Sequence, residues 1–254
     1  MNRGAVTIKS AEEITKMRKA ASMVSTVLTR MPEHIKPGVS TYELDQLAEK
    51  WIREAGGKPA FKGYLGYKAS ICTSINHEVV HGIPSKDRIL QEGDIIGVDC
   101  GAIWEAYYGD GAYTFAVGKV SPEVQQLLER TQRGLLTGVE QMHPGKRLFD
   151  IGAAISAVAD QYGYGVVREY VGHGIGTKLH EDPQVPNFGV AGTGMRLKAG
   201  MILAIEPMFN LGTHEVELQK DGWTVVTKDH KFSAHFEHTV LITENGPELL
   251  TKWP

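Results

Sequence analysis

Four carboxylates stand at matched places in this sequence. Asp99 and Asp110 flank a break at Trp104-Glu105 in the stretch Gly93 to Phe115, GDIIGVDCGAIWEAYYGDGAYTF, which alternates apolar and small residues on both sides. The alternation predicts a β-hairpin. With Trp104 and Glu105 as a two-residue turn, Asp99 faces Asp110 across the ladder, their Cβ atoms about 5 Å apart. Carboxylates that close repel, so either one holds a proton or a multivalent cation lies between them.

A shift of 107 residues lays Gly93–Asp99 on Gly200–Glu206, acid on acid, and Lys36-Pro37-Gly38 on His143-Pro144-Gly145. Helical spacing follows both Pro-Gly pairs, in Leu44/Leu47/Ala48/Trp51 and in Ile151/Ala154/Ile155/Val158. Two copies at so long a period read as a duplicated αβ unit, not a solenoid. The second central strand, led by Lys198-Ala199-Gly200, then pairs with His235–Ile242, which puts Glu237 in the place of Asp110. Asp99, Asp110, Glu206 and Glu237 converge with four negative charges, which two divalent ions about 3.5–4 Å apart neutralise while sharing bridging carboxylates. His173, between Gly172 and Gly174 at a strand end, adds one imidazole where a ligand can approach closely. Oxygen-rich ligation with a single imidazole suits Mn, Fe, Co or Zn.

His77-Glu78-Val79-Val80-His81 matches H-E-x-x-H, a zinc-protease pattern that works only on a helix, where i,i+4 spacing aims both imidazoles at one ion. Thr73-Ser74-Ile75-Asn76 before it, two valines within it and Gly82-Ile83-Pro84 after it disfavour a helix, so the match is read as coincidence.

The elements that must position these groups are legible. Ser10-Ala11-Glu12-Glu13 is a capping box opening a helix through Ile14, Met17, Ala21, Val24 and Leu28; Ser40-Thr41-Tyr42-Glu43 opens another to about Arg53, stopped by Gly56-Gly57. Pro59–Pro84 reads as strand and loop, and Ser121-Pro122-Glu123 starts a helix through Leu135. Val166–Val171 reads as one strand running into Gly172-His173-Gly174, followed by a Pro/Gly-rich loop to Gly194.

At 254 residues with 42% hydrophobic and 22% charged residues, the chain can bury a large core, and the shared centre favours one domain, 1–254, with halves about 10–115 and 116–250. A net charge of −3 gives no reason to expect a nucleic-acid or anionic-membrane partner. Two cysteines, Cys72 and Cys100, without CxxC spacing argue against a disulfide framework and for a reducing compartment. The start carries no apolar core of signal-peptide length, and no stretch approaches a membrane span.

The set Val80-His81-Gly82-Ile83-Pro84, Asp99 with Asp110, Gly172-His173-Gly174-Ile175-Gly176, His180-Glu181-Asp182-Pro183, Ile205-Glu206-Pro207-Met208 and Phe236-Glu237-His238-Thr239 resembles the methionine aminopeptidases, in their short bacterial type I form, from about Ile8 to Leu250. The resemblance implies the α+β pita-bread fold, two pseudo-symmetric αβ halves enclosing a dinuclear metal site. It implies that Asp99 and Asp110 bind the first ion, that Asp110 and Glu237 bridge, and that His173 and Glu206 complete the second. The implied reaction is hydrolytic removal of the initiator methionine from nascent chains when the second residue is small. His81 and His180 would contact the peptide and stabilise the tetrahedral intermediate, and Glu206 would move a proton. The methionine pocket falls at Phe61, Tyr64, Tyr67, Cys72, Leu179 and Trp223, with Leu179 and Phe61 departing from the Phe and Cys usual there. A monovalent cation is implied near Asn76 and Ser233, and so are a cytoplasmic location, delivery of substrate at the ribosome and a monomer. Two alternatives accompany this reading. One is an Xaa-Pro peptidase of the same fold, whose usual N-terminal domain 254 residues would not accommodate; the other is a metal-free relative that binds RNA or protein, which would lack these ligands.

Overall fold

Three of the four α-helices begin at a serine whose hydroxyl accepts from a free N–H of the first turn. In this computed structural model, which describes residues 6–253, Ser10 and Glu13 close a reciprocal capping box on α1, Ala11–Arg30. Ser40 and Glu43 do the same for α2, Thr41–Glu54. Ser121 caps α3, Pro122–Val139, with Pro in the first turn, and α4, Leu148–Tyr162, ends at Gly163 with φ 71°. The expected domain limits 1–254 and the reading of the first residues fall in part on 1–5 and 254, outside the described residues.

Seven strands carry the argument: β1 Ile71–Ile75, β2 Ile95–Trp104, β3 Tyr107–Ala116, β4 Gly172–Gly174, β5 Glu181–Val185, β6 Ile202–Ile205 and β7 Glu237–Thr243. They belong to a nine-stranded sheet with the central order β2, β3, β7, β6, β4, β5; β1 pairs with β2, and Lys58–Pro59 and Gly246–Leu249 complete it. The duplication is visible in the backbone. The isolated bridge Ser40↔Ile89 recurs 107 residues later as Arg147↔Arg196. Helices α2 and α4 begin at Thr41 and Leu148, and strands β2 and β6 at Ile95 and Ile202, with the same offset. Gly38 and Gly145, at φ 90° and 89°, make equivalent turns that a side chain would strain. The halves meet at the β3–β7 seam, where Glu237 lies opposite Ala112. The fold is the pita-bread arrangement.

Strand pleating decides which residues reach the shared centre. Ile96, Val98, Cys100 and Ala102 of β2 pack beneath α1 and α2 with Val24, Leu28, Leu44 and Ile52. Leu203 and Ile205 of β6 pack beneath α3 and α4 with Leu135, Ile151 and Ile155. The alternate positions, Asp99 in one half and Ile202, Ala204 and then Glu206 in the other, therefore face inward.

Five local expectations are corrected. The hairpin turn is Glu105-Ala106, both at positive φ (46° and 66°), because Trp104 pairs with Tyr107; this is the primed turn that matches strand twist. Asp99 accordingly lies opposite Ala112 and Asp110 opposite Gly101, so the two aspartates are diagonal neighbours on one face, not directly opposed. Val166–Val171 is not one strand: Gly165–Val166 pairs with Phe209 and Asn210 in a small second sheet, and the chain then bends across to β4. The loop expected to run to Gly194 contains β5, recruited by β4 as its edge partner. His235–Ile242 is broken at Phe236, whose buried ring separates Ser233–His235, paired in the small sheet, from β7. The zinc-protease-like segment holds a strand, Glu78–Val80, and no helix, as its composition predicts.

Candidate active site

Five strand ends and strand interiors bring the acidic residues together. Asp99 comes from β2, Asp110 from β3, Glu237 from the first residue of β7, Glu206 from just beyond β6, and His173 from the middle of β4, where it faces Ala204. Ligand atoms of Asp110, His173 and Glu237 all lie within 4.8 Å of one another. His173 Nε2 is 3.6 Å from Glu206 Oε1 and 3.9 Å from Asp110 Oδ2. Asp99 stands outside that tightest group and lines the same cavity.

The electrostatics are those of a cation site. Two like charges 4 Å apart repel by about 4 kcal/mol at an effective dielectric near 20, a large part of a domain's whole stability. Without a cation the carboxyls must hold protons. Burial pushes Asp99 up to about 7, with His235 opposing and the Glu206 carboxylate reinforcing the rise. Burial pushes Glu206 up to about 8. Asp110 is raised well above the carboxylate range by burial and then by Asp99 and Glu206; Glu237 is raised by burial and then by Asp110, Glu206 and Asp99. Burial holds His173 down to about 3, in the neutral form a metal ligand needs.

Nδ1 of His173 bonds the Gly174 carbonyl at 2.9 Å. Because a carbonyl only accepts, the ring proton is on Nδ1 and the Nε2 lone pair is left toward Asp110 and Glu206. Asp99 Oδ1 and Glu237 Oε1 are buried without a protein hydrogen-bond partner. Unpaired buried carboxylate oxygens are costly, and a divalent ion satisfies them. The residues present therefore fit divalent metal.

An apolar pocket opens onto this cluster, and the two form one cavity of about 170 Å³. All six residues expected for a methionine pocket line it: Phe61, Tyr67, Cys72 and Leu179 are buried, and Tyr64 and Trp223 half-buried. Cys72 pairs with Asp99 across β1 and β2, so thiol and carboxylate share a face and join pocket to acids. The Tyr67 hydroxyl lies within hydrogen-bond reach of the carbonyls of Ile71 (3.1 Å) and Gly82 (3.0 Å), which share its one proton, while its ring meets Trp223 edge-on at 5.0 Å.

His81 and His180 also line the cavity. His81 sits at φ 61°, a left-handed conformation disfavoured for a non-glycine residue, and such strain clusters at functional sites. Burial, then His235 and His180, hold it down to about 4. His180 Nδ1 is 2.8 Å from the Tyr64 hydroxyl, and its ring is 4.3 Å from that of His173. Asn76 and Ser233 are brought together through the backbone, Ser233 N donating to the Asn76 carbonyl at 2.8 Å. The Asn76 side chain is engaged elsewhere, with Asp94 and the Ile95 N–H.

Three neighbours escaped the sequence reading. His235 is buried with Nε2 3.6 Å from Glu206 Oε2; its i,i+2 relation to Glu237 in an extended segment was the available signal. Thr239 bonds the Asp110 backbone twice. Leu65, 80% exposed and at φ 48°, lines the mouth, and no local pattern marked it.

The metallopeptidase family M24 model matches residues 15–244. The methionine aminopeptidase of Clostridium acetobutylicum is 53% identical over 246 residues, 97% of this chain and 98% of that protein. The crystal structure of methionine aminopeptidase from Thermotoga maritima superposes with a TM-score of 0.96 at 46% identity, covering 98% of this chain and 100% of that one. The prolidase from Pyrococcus furiosus superposes less closely, with a TM-score of 0.80 at 27% identity, over 97% of this chain but 66% of its own. The chain belongs to metallopeptidase family M24, and within it to the methionine aminopeptidases.

Proposed function

We propose that the protein hydrolyses the bond after an N-terminal initiator methionine of nascent chains when the second residue is small. The observation that carries this reading is the joining of an apolar, thiol-bearing pocket to a buried carboxylate-imidazole cluster in one cavity. About 170 Å³ holds roughly one residue, which suits a chain terminus and not a polypeptide passing through. A thioether is a good fit to such soft, aromatic walls.

Divalent metal is the family's cofactor; we assign two ions, drawn from Co, Mn, Fe and Zn, of which the first would be held by Asp99 and Asp110 and the second by His173 and Glu206, with Asp110 and Glu237 as the carboxylates the two would share. Bound there, such ions supply Lewis-acid polarisation of the scissile carbonyl and a water made acidic enough to attack at neutral pH. The chain's own residues do the rest. Phe61, Tyr64, Tyr67, Cys72, Leu179 and Trp223 seat the methionine side chain and exclude water. The Tyr64 hydroxyl donates to Nδ1 of His180, which leaves the proton on Nε2 for the developing oxyanion, and His81 holds the peptide beyond the scissile bond. Glu206 takes the proton of the attacking water and passes it to the leaving amine.

We further read the chain as one catalytic domain, 1–254, with halves about 10–115 and 116–250, working as a cytoplasmic monomer on chains emerging from the ribosome. Among the described residues no helix is long and apolar enough to cross a membrane. A monovalent cation near Asn76 and Ser233 would draw on backbone carbonyls and on the buried, unpartnered Ser233 hydroxyl.

Mass spectrometry of Met-Ala-Ser and Ala-Pro-Ser peptides incubated with metal-supplemented protein tests the reading. Loss of methionine from the first alone is expected. Cleavage before proline would transfer the chain to the prolidase side, and no cleavage with any of the four metals would leave a binding role.

A further inference from the structure

Glu181 follows His180 directly and ties down the bend that carries Leu179 and His180. Its Oε1 accepts from the Lys178 N–H at 3.2 Å and from the Thr177 hydroxyl at 3.4 Å. Its Oε2 accepts from Nζ of Lys9 at 2.6 Å and from the Thr7 hydroxyl at 2.9 Å. Lys9 is 172 residues away in the chain, just ahead of α1. The side chains of the pair are 4% and 12% exposed. The Lys9 backbone N–H donates to the Gly200 carbonyl at 2.8 Å, two residues before the strand that leads to Glu206. Packing around the pair is close: a Cβ at Gly176 would lie 2.6 Å from both Glu181 Oε1 and Lys9 Nζ.

A lysine this deeply buried is tolerated only when paired, and a buried pair is poor evidence of net stability. What the pair does achieve is geometry. We propose that Lys9 is a positioning residue of the reaction: by holding Glu181 it fixes the bend so that His180, tethered on its other side by Tyr64, stays beside His173 within the cavity. The segment ahead of α1 is then part of the frame of the active site. This inference rests on the role given to His180 above.

A double-mutant cycle in the full-length, Mn-loaded protein tests it, using Lys9→Met, His180→Ala and the combination, with kcat and KM on Met-Ala-Ser and a thermal melt of each. Groups that act as one unit lose activity non-additively. Lys9→Met is expected to lower kcat about tenfold with KM within about threefold, short of the roughly 10²-fold that a 1 Å misplacement costs. In the His180→Ala background the same change is expected to lower kcat less than about twofold. Equal fractional losses in both backgrounds, or no loss from Lys9→Met, would overturn the proposal alone. A fully active His180→Ala would overturn it together with the role of His180. Should Lys9→Met fail to fold, Thr7→Val, which removes the outer donor to Glu181 and an acceptor of Lys9 but leaves the Lys9–Glu181 pair, gives a smaller loss on the same cycle, and an additive one there overturns the proposal equally.

Discussion

Thr239 grips the backbone of Asp110 from both sides: its Oγ1 accepts from the Asp110 N–H at 3.1 Å and donates to the Asp110 carbonyl at 2.7 Å. Asp110, proposed above to be shared by both ions, is thereby sewn to the second half's strand β7, at a fully buried threonine. Metal geometry and the seam between the halves are one structural problem.

Thr239→Val keeps the shape and removes both bonds, leaving a buried N–H and a buried carbonyl unpaired. Each such orphan costs about 1–3 kcal/mol, so a loss of about 2 kcal/mol or more in urea unfolding is expected, with weaker Mn binding by calorimetry. Unchanged stability would mean that the two groups find other partners.

Metal-free protein should lose stability as pH rises from 6.5 to 8. Asp99 and Glu206 sit at about 7 and about 8 when folded against 3.8 and 4.5 ordinarily, so the folded chain holds extra protons below those values. Their stabilising contribution is complete below the ordinary carboxylate range and fades through pH 7–8. The neutral histidines act oppositely: His81 at about 4 and His173 at about 3 add stability as pH rises toward 6.5, and nothing beyond it. Melting temperatures in EDTA should therefore fall between pH 6.5 and 8, while Mn-loaded protein, its carboxylates already deprotonated, should not follow. A rise in EDTA over that window would contradict the buried, protonated cluster.

His180→Ala should lower kcat by about 10²- to 10³-fold, the usual loss for one oxyanion donor, and His81→Ala, which loosens the peptide, should lower kcat/KM, while Mn binding by calorimetry stays as in the parent in both. Loss of metal in either variant would make that histidine a ligand.

Tyr67→Phe deletes the hydroxyl that holds the carbonyls of Ile71 and Gly82, the latter next to the strained His81. A stability loss of about 1–2 kcal/mol is expected, with a severalfold drop in kcat as the His81 turn loosens. An unaltered kcat would show that the turn is held by other contacts, such as the Glu78–Arg88 pair.

The duplication made the convergence of the acidic residues legible: equivalent strands put Asp99 and Glu206 at the same offset as the bridges Ser40↔Ile89 and Arg147↔Arg196. Capping boxes at Ser10 and Ser40 were equally readable, because their signal is local. The hairpin turn lies one residue later than expected, which shifts each cross-strand partner by two, since Glu105-Ala106 takes positive φ without the Gly or Asn that marks such a turn. Nothing local marks Leu65 at the pocket mouth or Lys9 beside Glu181; their places follow from tertiary packing, and the Lys9–Glu181 contact spans 172 residues.

Asp110 is raised in pKa by burial and then by its acidic neighbours, has a ligand atom within 4.8 Å of those of His173 and Glu237, and is held by the seam; it is the residue on which the account turns. The most direct measurement is metal content by atomic spectroscopy alongside turnover of Met-Ala-Ser for the parent and Asp110→Asn. The account predicts tightly held divalent metal and methionine release in the parent, and loss of both in the variant, whose melt stays cooperative. Full metal content and turnover in Asp110→Asn would contradict it.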